Sequence, residues 1–132
     1  MRARARHAAA VIVSLAYVLA WGLGLVLGLV AMLLVPDGDD GGWAALGYLA
    51  LGFLIGVAIG HLAWIVLSVR LLRPYGHPQR TVATVVLTPV AIFALMFGIT
   101  DLAVPWPTWP LVAVAVPAVL AWWTAEPTPT GS

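Results

Sequence analysis

The 132-residue chain has no cysteine and no lysine, and only 8% of its residues are charged. Without cysteine there is no disulfide, no thiolate metal site and no thiol nucleophile. Without lysine there is no amine to form a Schiff base. A soluble domain of ordinary composition carries charge on about a quarter of its residues, so this chain has too little charge to clothe a water-facing surface. Its six arginines are too few and too dispersed to track a phosphate backbone, and nucleic acid is not an expected partner. No HExxH pattern or paired carboxylates occur, and Ser14 and Ser68 have no base beside them in sequence. No catalytic residue, metal or cofactor is therefore expected, and the chain is not read as an enzyme.

What fills the sequence is apolar: 63% of residues are hydrophobic and the mean hydropathy is +1.05. Four long apolar runs are separated by an acidic turn (Pro36 to Gly42), a basic turn (Arg70 to Arg80) and a Pro/Trp-rich turn (Asp101 to Pro110). The predicted fold is all-α, a single-domain integral membrane bundle of four transmembrane helices. Its spans are about 8–35, 43–69, 81–104 and 108–125, followed by a disordered polar tail over 126–132. The first run reaches Val35, roughly 42 Å as helix, about twice a signal-peptide core; it reads as a retained span rather than a cleaved leader. Span four opens with Thr108 as a candidate N-cap, and Trp109 and Pro110 suit its first turn. No internal repeat is visible.

Threading these spans places every arginine on one side. Arg2, Arg4 and Arg6 share it with Arg70, Arg73 and Arg80, while Asp37, Asp39, Asp40 and Asp101 fall opposite. Basic residues stay on the cytoplasmic side, so both termini are predicted to be cytoplasmic. Arg70, Arg73 and Arg80 are the topology-setting residues, in reach of lipid headgroups together with His77. A composition dominated by Ala, Gly, Val, Leu, Pro and Arg fits a GC-rich bacterial genome, which makes a bacterial plasma membrane the expected location. Trp43, Trp106 and Trp109 fall at the outer interface, with Trp122 and Trp123 at the inner one and Tyr75 in the inner loop, where aromatic rings anchor helices. Trp21 falls mid-span and is expected to pack between helices or face lipid.

Glycine carries the strongest local pattern. Gly52, Gly56 and Gly60 recur every four residues along span two, with Trp64 one step further; Gly24 and Gly28 repeat the spacing in span one, with Gly22 nearby. Such faces allow close backbone approach. They either join spans one and two within the chain or receive a helix from a second copy or a partner. His61 is the one ionisable side chain well inside an apolar run, on a different face from the glycines. It is expected to be neutral and bonded to a Thr, Ser or freed carbonyl, with proton relay or quinone or haem contact as the sharper alternative. Span three carries Thr81, Thr84 and Thr88, then Pro89, which frees the Val85 carbonyl; Pro117 frees that of Ala113 in span four. Thr84 and Thr88 join His61 as candidate intramembrane polar sites. Asp101 sits too near the outer surface for ion coupling. The Asp37–Gly42 turn lacks an EF-hand's third carboxylate, since Gly41 stands there, and its twelfth-position Glu, where Tyr48 stands.

Four spans in so short a chain match small multidrug-resistance exporters and fluoride channels in span count only. Span one lacks the exporters' embedded glutamate, and no family is assigned. The expected function is a structural or accessory membrane subunit, packing through its glycine faces against the bilayer and a membrane-protein partner or its own copies. The alternative is a small homo-oligomeric transporter or channel with His61 as its polar site. The two part on mutation: Gly56→Leu should break assembly in the first, His61→Ala should stop flux in the second.

Overall fold

The computed structural model describes residues 2–35, 42–101 and 108–127. They form four α-helices: α1 (Arg2–Leu33), α2 (Trp43–Leu72), α3 (Pro78–Asp101) and α4 (Thr108–Thr124), with one 3-10 turn (Arg73–Tyr75) after α2. No strand occurs among the described residues. Three of these helices are long and apolar enough to cross a membrane, while α4, at 17 residues, lies at the short end of that range.

Three helix limits reach beyond the sequence expectation, while α1 ends at Leu33 and α4 at Thr124, one or two residues short of it. α1 begins at Arg2 rather than near residue 8, because an alternating Arg–Ala start is itself a good helix former. α3 begins at Pro78 rather than Thr81, since proline is accommodated in a first turn, where its missing N–H costs nothing. α2 continues three residues beyond Val69 to Leu72, after which the chain closes a tight turn. There Gly76 takes a left-handed φ of 76° and donates its N–H to the Arg73 carbonyl at 3.2 Å. A side chain at that φ would be strained. The acidic turn over 36–41, Trp106, the tail beyond residue 127 and the side chains of Asp101 and Trp109 lie outside the described residues.

The chain divides into two compact units, Val18–Trp64 and Met1–Tyr17 with Ile65–Ser132. In Val18–Trp64, α1 and α2 run antiparallel with small residues in register. Ala20 faces Gly60, Gly24 faces Gly56 and Gly28 faces Gly52. Each step is four residues on both helices, so the contact repeats once per turn along one stripe.

In the other unit α3 and α4 pack directly on each other. The start of α1 lies antiparallel to α4: Arg6 bonds the Trp122 carbonyl, and two turns further along α1 Ser14 bonds the Val114 carbonyl, two turns earlier in α4. The interior of this unit combines Val13, Tyr17, Leu72, Ile92 and Ala121 with six buried hydroxyl residues, Ser14, Ser68, Thr81, Thr84, Thr88 and Thr124. Large apolar side chains point the other way. Val82, Phe97, Leu111 and Val119 are all more than 60% exposed. Hydroxyls inside and large apolar side chains outside invert the pattern of a water-soluble fold.

Candidate functional site

The glycines form a seam rather than an open face. A methyl added at Gly56 would lie 2.7 Å from the Gly24 Cα and 2.8 Å from the Leu23 carbonyl oxygen. At Gly52 it would meet the Leu27 carbonyl at 2.6 Å, and at Gly60 the Ala20 backbone at 2.7 Å. Gly28 is equally close to Leu49, and Gly24 to Phe53 and Val57. All five glycines are thus occupied within the chain, which favours the intrachain alternative of the two the sequence left open. Gly22 has nothing within 4 Å and takes no part. Ala20 completes the stripe, one turn before Gly24, and its small side chain in that spacing is the sequence signal for it.

His61 borders this seam. Its Nδ1 lies 2.8 Å from the Val57 carbonyl one turn back, so the imidazole bonds a carbonyl of its own helix. Its ring meets Trp21 edge-on at 5.5 Å between centroids and Trp64 at 6.3 Å. Trp21 also tilts against Phe53 at 6.0 Å. Trp21 is therefore a packing residue between α1 and α2, half-buried, while Trp64 is buried. The half-buried histidine is bordered by two tryptophan rings.

The threonines lie together in the other unit. Thr84 Oγ1 is 2.6 Å from Thr124 Oγ1 and 3.2 Å from the Leu120 carbonyl. Thr124 in turn reaches the Leu120 carbonyl at 2.9 Å and the Arg80 carbonyl of α3 at 3.2 Å. Each hydroxyl has one proton, so these contacts are a set of alternatives that always joins α3 to α4. Thr88 donates to the Thr84 carbonyl at 2.6 Å and Thr81 to the His77 carbonyl at 3.0 Å. Neither Thr84 nor Thr88 turns to the Val85 carbonyl that Pro89 frees. Ser14 instead donates to Val114 of α4 at 2.7 Å, one residue on from the Ala113 carbonyl that Pro117 frees. The sequence held both halves of that pair but no register to join them.

The basic residues converge on one end of this unit and split into two sets. Arg6 Nε donates to the Trp122 carbonyl at 2.8 Å while its guanidinium lies 3.6 Å over the Trp122 ring. Arg80 lies over the Trp123 ring at 4.9 Å, donates to the Trp123 carbonyl at 3.3 Å and pairs with Glu126 at 3.0 Å. His77 Nε2 donates to the Glu126 carbonyl at 2.8 Å. Two cations and a histidine thus close the end of α4, which has no basic residue in its own last turn. Arg70 and Arg73 are exposed, and their side chains make no hydrogen bond or ion pair among the described residues.

Comparison of the chain with protein-family models, with curated proteins and with solved structures finds no match.

Proposed function

We propose that the protein is a multi-pass integral membrane protein that serves as a structural or accessory subunit, with α1 to α4 all crossing the bilayer. One observation carries this reading: all but one of the polar side chains of Ser14, His61, Ser68, Thr84, Thr88 and Thr124 reach the chain's own backbone, the buried Ser68 hydroxyl being the exception among the described residues. Ser14 holds Val114, His61 holds Val57, Thr84 and Thr124 hold Leu120, and Thr88 holds Thr84. Groups bonded in this way stabilise a fixed bundle instead of offering a path to an ion or substrate. With the glycine seam filled internally, partner contact falls to the outward apolar faces, such as the side of α2 bearing Leu51, Leu54 and Leu62.

Both termini are assigned to the cytoplasm of a bacterial plasma membrane on the arginine distribution, supported by Arg6, Arg80 and the end of α4 meeting at one end of their unit. The test is purification of the tagged protein in mild detergent from its native membrane, followed by mass spectrometry. A stoichiometric membrane-protein partner supports the accessory role. A homo-oligomer whose ion or solute flux in proteoliposomes is abolished by His61→Ala would replace it with the transporter reading.

A further inference from the structure

The turn between α2 and α3 carries a groove of about 300 Å³, lined by Val69 and Arg73 on one side and Pro78, Thr81 and Val82 on the other. Its chemistry changes along its length. Val69 and Val82 belong to the apolar helices, whereas Arg73 and Pro78 stand where the helices give way to the turn. The Thr81 hydroxyl is already donated to the His77 carbonyl, so that wall offers carbon rather than a free donor. Arg73 is therefore the one charge in the lining.

That arginine differs from its neighbour across the turn. Arg80 is held by Glu126 and the end of α4, and Glu126 is the one acidic side chain described in the structure. Arg73 is exposed, and its guanidinium has no hydrogen-bond or ion-pair partner among the described residues. A guanidinium presents a planar fork of donors matched to a phosphate. An apolar wall continuing from it into the helical body suits an acyl chain.

We infer that this groove binds one anionic glycerophospholipid, its phosphate on Arg73 and the upper part of one acyl chain along Val69 and Val82. The volume is at the lower limit of small-molecule sites, so it takes part of a lipid and leaves the rest in the bilayer. The inference rests on the membrane placement proposed above, which is tested separately by whether extraction requires detergent.

The experiment is native mass spectrometry of the full chain in mild detergent, titrated with phosphatidylglycerol or phosphatidylcholine. The wild type should retain one phosphatidylglycerol with about tenfold preference over phosphatidylcholine, a difference of ~1.4 kcal/mol. Arg73→Gln should bring that preference close to parity, and Val82→Trp should lower occupancy by both lipids. Val82 is 62% exposed, so the larger ring fills the groove without entering the core. Arg70→Gln, an exposed arginine one turn away and outside the lining, should keep most of the preference. Equal losses in Arg70→Gln and Arg73→Gln would mean diffuse attraction to a basic end and overturn the site. So would wild-type lipid retention in Val82→Trp, or displacement of the lipid by inorganic phosphate at matched concentration.

Discussion

Gly56 lies against Gly24 so closely that the first carbon of any side chain at Gly56 would sit 2.7 Å from the Gly24 Cα. The neighbours on that side are backbone atoms, which cannot swing away as a flexible side chain can. Without a hydrophobic driving force between helices in lipid, such close approach is what gives packing its strength. α1 and α2 are therefore held by the absence of side chains along their shared stripe. Gly56→Ala should destabilise the protein by about 1–3 kcal/mol, the range for overpacking a filled interior, and Gly56→Leu by more. Gly47, on the same helix, has nothing within 4 Å, so Gly47→Ala should leave stability unchanged or slightly raised. Thermal unfolding in detergent, followed by tryptophan fluorescence, separates the two. Equal effects at Gly47 and Gly56 would remove the seam from the account.

The hydroxyl bridge between α3 and α4 gives a second test. Thr84 and Thr124 are both fully buried and bond one another at 2.6 Å. Measured side-chain hydrogen bonds between membrane helices average about 0.6 kcal/mol, because the unfolded chain in lipid finds partners too. Thr84→Val and Thr124→Val should each destabilise by about 1 kcal/mol. The double variant should cost less than the sum of the two. Strict additivity in that double-mutant cycle would show that the two hydroxyls do not act on each other.

How far the sequence revealed this arrangement depends on whether a feature is local. The apolar runs and their turns are local, and four helices follow at nearly the expected limits. The glycine spacing is local to each helix as well. Its consequence was legible only as two alternatives, a seam within the chain or a face for a second helix, because spacing along one helix does not say what the stripe meets. Contacts such as Ser14 with Val114, or Arg6 with Trp122, join positions more than ninety residues apart. Nothing in a periodicity sets the register between two such helices. Arg80 shows the same limit: a residue read as a topology signal also holds the end of α4, because its backbone lies beside Trp123 and Glu126. Thr84 was read against the proline on its own helix, and its bonds instead cross to α4.

His61 distinguishes the two functional readings most directly. Its imidazole is bonded to Val57 and flanked by Trp21 and Trp64; an aromatic ring without nitrogen keeps the two ring contacts and loses the bond to Val57. His61→Phe should therefore shift stability by no more than about 1 kcal/mol. It should also leave the set of co-purifying membrane proteins unchanged. If His61→Phe instead abolished a proton- or ion-driven flux in proteoliposomes while the fold stayed intact, the accessory role would fall.

The end of α4 sets out what the arginines do beyond orienting the chain. The last carbonyls of a helix lack partners within it and carry a partial negative charge, so cations placed there stabilise it. α4 has only 17 residues and no basic residue in its last turn, so that stabilisation comes from Arg6 on α1 and Arg80 on α3. Each also lays its guanidinium over a tryptophan of the same turn, Trp122 or Trp123, an arrangement open to a planar cation and poorly copied by lysine. The Arg80–Glu126 pair is partly exposed, with side chains 33% and 50% accessible, and exposed pairs contribute little. Glu126→Gln should thus leave the last turn of α4 nearly as protected as before. Arg6→Ala combined with Arg80→Ala should speed amide exchange over residues 121–126 about tenfold in lipid nanodiscs, with Arg6→Lys intermediate. If Glu126→Gln alone reproduced the double variant, the ion pair and not the carbonyl and ring contacts would be what holds α4 in place.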